Sequence, residues 1–376
     1  MKEMDLSFVF PCLNEEKTIP VVIRELQEVM KTMPVQAGII ISDNGSTDNS
    51  VTLAEELGCR VVHAEKKGYG EALKKGFQEA EGKYIAFADI DGSYPLEYLP
   101  KMYEQIVKHD LDMVIASRVK GKIEKGAMPF LHRYLGTPVL TKVINLLFRG
   151  KLSDCNSGFR IFKKEAYQKW DVRSSGMEFA SELLIKALKT KSKMKEVSAG
   201  LRVDKRDHAP HLQTWRDGMR HLLFILSEAP KFFEIIGLAL MGFSILGEVL
   251  SMLLGPVQWG NMVVLNYHSK LILLGMMILG VYSYLFSANL YVLKPKEKPI
   301  KITKGILALS EETLFAICVG SVFCVVIGLG IFITFWASNS FHGIEVVSPL
   351  LDAMYWLLFI LMFSFGLVQV HLFKRI

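Results

Sequence analysis

The amino-acid sequence predicts an α/β domain built on a mainly parallel sheet, followed by a membrane half of four helical spans. Three observations carry this reading. Short apolar runs alternate with helical stretches up to about Ser227, polar residues gather where those runs end, and long apolar blocks with few charges begin at Phe232. The chain is 51% hydrophobic, above the soluble average, and the excess lies in the second half.

In order, "LSFVFP", "GIIISD", "CRVVHA", "KYIAFAD" and "DMVIAS" read as strands, being short and rich in β-branched or aromatic residues. Between them "IPVVIRELQEVMKTM", "NSVTLAEELG", "YGEALKKGFQEA" and "LEYLPKMYEQIVKH" read as helices. Such alternation defines βα units and a mainly parallel sheet, whose ligands sit beyond the carboxyl ends of the strands. "PCLNEE", "SDNGSTD", "ADIDGS" and "ASR" all fall at those ends, so four strand ends are expected to converge on one crevice.

Four blocks reach the roughly 20 residues needed to cross a ~30 Å hydrocarbon core. They lie at about 232–254, 271–293, 314–336 and 350–373. The loop "KPKEKPIKITKG" and the final "FKRI" are basic, whereas the other two inter-span loops are nearly free of Lys and Arg. By the positive-inside rule the large N-terminal domain and both termini are expected on the cytoplasmic side of the cytoplasmic (inner) membrane. The expected divisions are a domain over 1–210, an interfacial amphipathic region over 211–231 and a membrane domain over 232–376. The opening "MKEMDLSFVFPCLNEE" does not read as a signal peptide, and five cysteines without a CxxC pair or zinc spacing read as reduced thiols. A net charge of +6 suits an anionic leaflet and argues against a nucleic-acid partner.

The motif with most chemistry is "ADIDGS". In extended chain Asp89 and Asp91, two residues apart, point to one side, and their mutual repulsion is relieved by a divalent cation. Oxygen-only ligands favour Mg²⁺ or Mn²⁺, with substrate phosphates completing the shell. Asp43 closes a strand before an Asn-Gly turn and reads as a turn-and-cap residue or as an acceptor for a nucleobase or ribose. "PCLNEE" offers Pro11, Asn14 and Glu15 either as a strand exit with a helix cap or as a wall for the nucleoside. Lys67 and Gly68 form a glycine turn or a phosphate approach. Glu178 and Glu182 share one helix face, and "DCNSGFR" brings Asp154 close to small residues and an arginine. Ahead of the first span, Arg202, Arg206, Arg216, Arg220 and His208, His211 and His221 suit an interfacial helix that sets cations at the depth of a lipid phosphate.

Taken in order, "PCLNEE", "SDNGSTD", "KKGYGEALKKGF", "ADIDGSYP", "ASR", "DCNSGFR" and "GMEFASE", followed by spans, resemble the family 2 glycosyltransferases of the polyprenyl-phosphate-sugar synthase type, relatives of dolichyl-phosphate mannose synthase. The resemblance implies a GT-A fold, a UDP- or GDP-linked sugar donor and a dolichyl or undecaprenyl phosphate acceptor drawn from the bilayer. It places Pro11, Glu15 and Asp43 on the nucleoside, Asp89 and Asp91 on the metal and diphosphate, Arg118 and Arg206 on phosphates, and Asp154 near the reacting centre. Ser93 stands where relatives often carry a glutamine. A processive polysaccharide synthase and a non-catalytic transporter or scaffold are the rivals. The first lacks its Q-x-x-R-W motif here, and the second is at odds with an intact acidic pair. A homo-oligomer stays open, as does the sugar.

Overall fold

The computed structural model describes residues 4–206, 214–260, 262–338 and 347–375. His208 and His211, together with the side chain of Arg216, fall outside the described residues. The chain divides into two units, Met1–Glu228 and Ala229–Ile376.

The first unit is a seven-stranded sheet with helices around it. Its strands are β1 (Leu6–Cys12), β2 (Ala37–Asp43), β3 (Arg60–His63), β4 (Tyr84–Phe87), β5 (Met113–Ser117), β6 (Arg160–Lys163) and β7 (Met194–Ser198), in the spatial order β3-β2-β1-β4-β6-β5-β7. All pairings are parallel except those of β6, which runs antiparallel between β4 and β5. This is a GT-A-like sheet, mainly parallel as the alternation predicted. The central strands are buried on both faces, which is why they read as nearly continuous apolar runs. Pro11 is tolerated in β1 because the pairing with β4 ends at Val9, so on that side no ladder donor is lost.

β6 and β7 are absent from the strand list read off the sequence. β6 is only "RIFK", and its Arg160 is fully buried, a residue that ordinarily argues against a core strand. The guanidinium is satisfied by three carbonyls, of Ser157, Ala180 and Cys155, which lets it sit there.

The second unit contains four helices long and apolar enough to cross a membrane: Pro230–Leu254, Tyr267–Leu293, Glu311–Ser338 and Val347–Lys374. Glu248, in the first of them, is fully buried, as is Glu234.

Candidate active site

The crevice is built at the carboxyl ends of β1, β2, β4 and β5. Just past β4, Asp89 accepts a hydrogen bond at Oδ1 from the Tyr69 hydroxyl, 2.9 Å away. Its Oδ2 lies against Gly158, where a Cβ would approach to 2.6 Å. A glycine is required there by the carboxylate's own position. Burial first, and then the charge of Asp91, push the Asp89 carboxyl up to about 6. Asp91 accepts at Oδ1 from the Ser93 amide at 2.9 Å, and its Oδ2 meets the Arg206 guanidinium at 2.9 Å. Ser93 thus holds an aspartate through its backbone.

Among the described residues no group of three or more His, Cys, Asp or Glu could hold a metal. Two adjacent carboxylates with no third ligand fit a divalent cation that takes the rest of its shell from a diphosphate and water. Arg206 adds a second feature to the same site. It faces Asp91, Glu15 at 3.6 Å and Asp204 at 3.3 Å, yet its buried Nε has no hydrogen-bond partner. A buried guanidinium donor left open beside three carboxylates is where a phosphate oxygen fits.

Asp89 also sets a pH dependence. Its folded-state pKa lies above the unfolded value, so its contribution to stability is present at low pH and is lost as pH rises through about 6. In cation-free protein the melting temperature is expected to fall across that window, and Asp89→Asn to flatten the fall. Thermal melts of both forms at a series of pH values check this, and parallel curves would contradict it.

Arg118, at the end of β5, and Asp154 form a buried fork. Nε and an Nη of Arg118 donate to the two carboxylate oxygens at 2.7 and 2.8 Å, and the Arg118 amide adds a third bond at 3.1 Å. Burial opposes both charges. Arg118 nonetheless holds the Asp154 carboxyl below its usual range, and Tyr94 and Asp154 hold Arg118 above its own. Asp154 is fully buried while Arg118 lines the cavity described below, so the carboxylate faces the arginine and the arginine faces the crevice.

The loops that follow β1 and β2 are tied to one another. Asn14 (φ 57°) caps no helix; its Oδ1 accepts from the Thr47 amide at 2.8 Å. The Glu15 amide donates to Ser50, and Glu15 Oε2 accepts from the Thr18 hydroxyl. Asp43 accepts from the amides of Gly45 and Ser46 and faces His63 at 3.2 Å. Burial would raise its carboxyl, but the bonds to Ser46 and Gly45 prevail and hold it down. Pro11 pairs in register with Ser42 on the same rim. Gly68 has φ 138°, and a Cβ there would come within 2.3 Å of the Ser175 carbonyl, so its close neighbour is the chain itself; Lys67 beside it is exposed.

Other predicted residues separate from the crevice or support it from outside. The Arg202 guanidinium is held by Glu25 and, bidentately, by Glu97. Glu182 is buried and accepts from the amides of Arg173 and Ser174. Glu178 precedes the same helix, Phe179–Lys189, with a buried Oε2 that has no partner.

From Asp89 and Arg118 a cavity of about 480 Å³ extends between apolar walls that include Met128, Leu131, Leu135, Leu140 and Leu222. One wall is the helical stretch 132–148, which opens with a wide turn, His132–Gly136, where the Thr137 amide bonds to the His132 carbonyl. Burial, then Arg118, lower the pKa of His132, which also lines the cavity. This stretch is apolar on both faces. Leu140 and Ile144 are buried in the core, while Phe130, Leu131, Tyr134, Leu135, Val139 and Leu146 are exposed. Sequence reading passed over this wall, although the i, i+4, i+8 recurrence of Leu131, Leu135 and Val139 is visible in "FLHRYLGTPVLTK".

Residues 7–171 match the family described as glycosyl transferase family 2. The chain belongs to that family. Among its relatives is the low-salt glycan biosynthesis hexosyltransferase Agl6 of Haloferax volcanii, 36% identical over 247 residues, or 65% of this chain and 59% of that protein. The chain thus spans less than two thirds of that relative. The dolichyl-phosphate hexose transferase of the same organism is 29% identical over 186 residues, covering 48% of this chain and 76% of that protein. A crystal structure of a mycobacterial protein shares the fold with a TM-score of 0.51 at 20% identity, covering 60% of this chain and 75% of that one.

Proposed function

We propose that the chain transfers a hexose from a UDP- or GDP-linked sugar to a polyprenyl phosphate, with inversion at the anomeric carbon. The carrying observation is the cavity, polar at the Asp89 and Arg118 end and apolar beyond it. A phosphate with a hydrocarbon tail matches that gradient, whereas a sugar hydroxyl acceptor would leave the apolar walls facing water. The names of the two Haloferax relatives, a hexosyltransferase and a dolichyl-phosphate hexose transferase, support the same reading.

In this reading Pro11, Asn14, Glu15 and Asp43 border the nucleoside, with Lys67 and Gly68 on the same rim. Asp89 and Asp91 hold Mg²⁺ or Mn²⁺, which would neutralise charge on the leaving diphosphate. Arg206, with its open Nε beside Asp91, takes a diphosphate oxygen. Arg118, on the cavity side, takes the acceptor phosphate, and Asp154 positions Arg118.

The acceptor oxygen forms a bond to the anomeric carbon as the bond to the diphosphate breaks, and the nucleoside diphosphate leaves with that electron pair. A phosphate monoester with a second pKa near about 6 is already ionised, so alignment and charge are the protein's tasks rather than proton removal.

The exposed stripe Leu131–Leu135–Val139 and the exposed Met219 and Leu223 of helix Thr214–Ser227 supply apolar surface suited to the headgroup boundary of a bilayer. The catalytic unit, the lysine-rich loop after Leu293 and Lys374 would lie on the cytoplasmic side of the membrane.

The experiment is release of nucleoside diphosphate by the full chain in lipid, across UDP- and GDP-sugars, with and without polyprenyl phosphate. Release that depends on the lipid and yields a glycolipid is the expected result; release indifferent to the lipid would refute the acceptor. Leu135→Asp is expected to raise KM for the lipid about tenfold, by removing apolar contact, with lipid-independent donor hydrolysis unchanged. An equal fall in both rates would count against the cavity as the acceptor's place.

A further inference from the structure

The second unit carries a pocket of its own, about 340 Å³, lined by Tyr291, Pro295, Pro299, Lys304, Leu307 and Lys374 among others. It lies where helix Tyr267–Leu293 ends, the short helix Lys301–Leu307 follows, and helix Val347–Arg375 finishes. Its frame is fixed by Glu234. That carboxylate is fully buried, and it accepts from the Tyr291 hydroxyl at 2.7 Å and from the Ile300 amide at 3.0 Å. Lys374 closes the other side by donating from Nζ to the Leu307 carbonyl at 3.1 Å. An ammonium has three donors, so two more are available there.

The charge around the pocket is predominantly positive. Lys294, Lys296, Lys298, Lys301 and Lys304 fall within eleven positions, with Glu297 as the only acidic residue among them. The spans stop at this level, and Leu293, Leu372 and Phe373 next to it are exposed. The pocket therefore combines lysine ammoniums with apolar surface continuing along the helices, at the depth where a bilayer sets its phosphates.

We propose that this pocket binds the phosphate headgroup of an anionic phospholipid, with the acyl chains lying along the exposed apolar residues beside it. Basic pockets between spanning helices recognise such headgroups by charge, at roughly five-fold in affinity per lysine. The site does not depend on the transfer chemistry proposed above, so either can fail alone.

The test is native mass spectrometry of the full chain released from nanodiscs. Phosphatidylglycerol, phosphatidylcholine and inorganic phosphate are offered in parallel. Phosphatidylglycerol is expected to be retained over phosphatidylcholine. Lys304→Gln, a change at an exposed side chain, weakens it about five-fold, and Lys304→Gln with Lys374→Gln about twenty-five-fold. Lys101→Gln in the catalytic unit changes nothing. Equal retention of the two lipids, or a double variant that binds as the parent does, would overturn the proposal. Lysine-dependent binding of inorganic phosphate without retention of phosphatidylglycerol would overturn the lipid as its source.

Discussion

Asp91→Asn is expected to lower kcat for sugar transfer by about a thousandfold, the scale on which removing one preorganised charge-stabilising group acts. Asparagine preserves shape and can still accept from the Ser93 amide, but it surrenders the charge that faces Arg206 and would face a cation. The measurement is nucleoside diphosphate release and glycolipid formation at saturating donor and cation, with donor binding followed separately. Because the acidic pair would meet the diphosphate most strongly as it departs, kcat should fall further than donor affinity. A variant within tenfold of the parent would remove Asp91 from the reaction.

The second large effect is on stability. Asp154→Asn leaves the Arg118 guanidinium, 13% exposed, without its counter-charge, and breaking a buried pair from one side costs about 3–5 kcal/mol. Thermal unfolding should show the variant markedly weakened, and combining it with Arg118→Met should recover much of the loss, since no uncompensated charge then remains. The recovered double variant should still fail to use the lipid acceptor. A double variant as unstable as the single one would mean that Asp154 acts through something other than Arg118.

How much of this was legible in the sequence depends on the distance over which each feature is determined. Five of the six parallel strands and the four apolar helices are local patterns, so period and length sufficed. Asp89 and Asp91 were legible because both sit within four residues of a strand end, although the chain turns at Ile90–Asp91 rather than running on extended as the sequence reading assumed. The Arg118–Asp154 fork joins residues 36 apart, brought together by β6 and the loop before it, and "RIFK" hides that strand behind a buried arginine whose acceptors are carbonyls from other segments. The apolar wall at 132–148 was passed over although its i, i+4, i+8 recurrence is visible, because a helix apolar on both faces has no polar stripe to say which side lines a cavity. Arg202 was drawn to the site by its neighbours in sequence, whereas its partners Glu25 and Glu97 are set by tertiary packing.

The antiparallel β6 has a consequence in time. It lies between β4 and β5 in space but follows both in the chain, so those two strands have their facing edges unpaired until Arg160–Lys163 has been synthesised. Non-local pairings of this kind are slow, and unpaired edges are hazardous while they last. The order of segments limits the exposure. β6 and β7 both precede Pro230, where the first long apolar helix begins. At roughly 5–20 residues per second a ribosome gives the sheet several seconds to close before that helix is made. The sheet's edges can thus be paired before the most aggregation-prone part of the polypeptide exists.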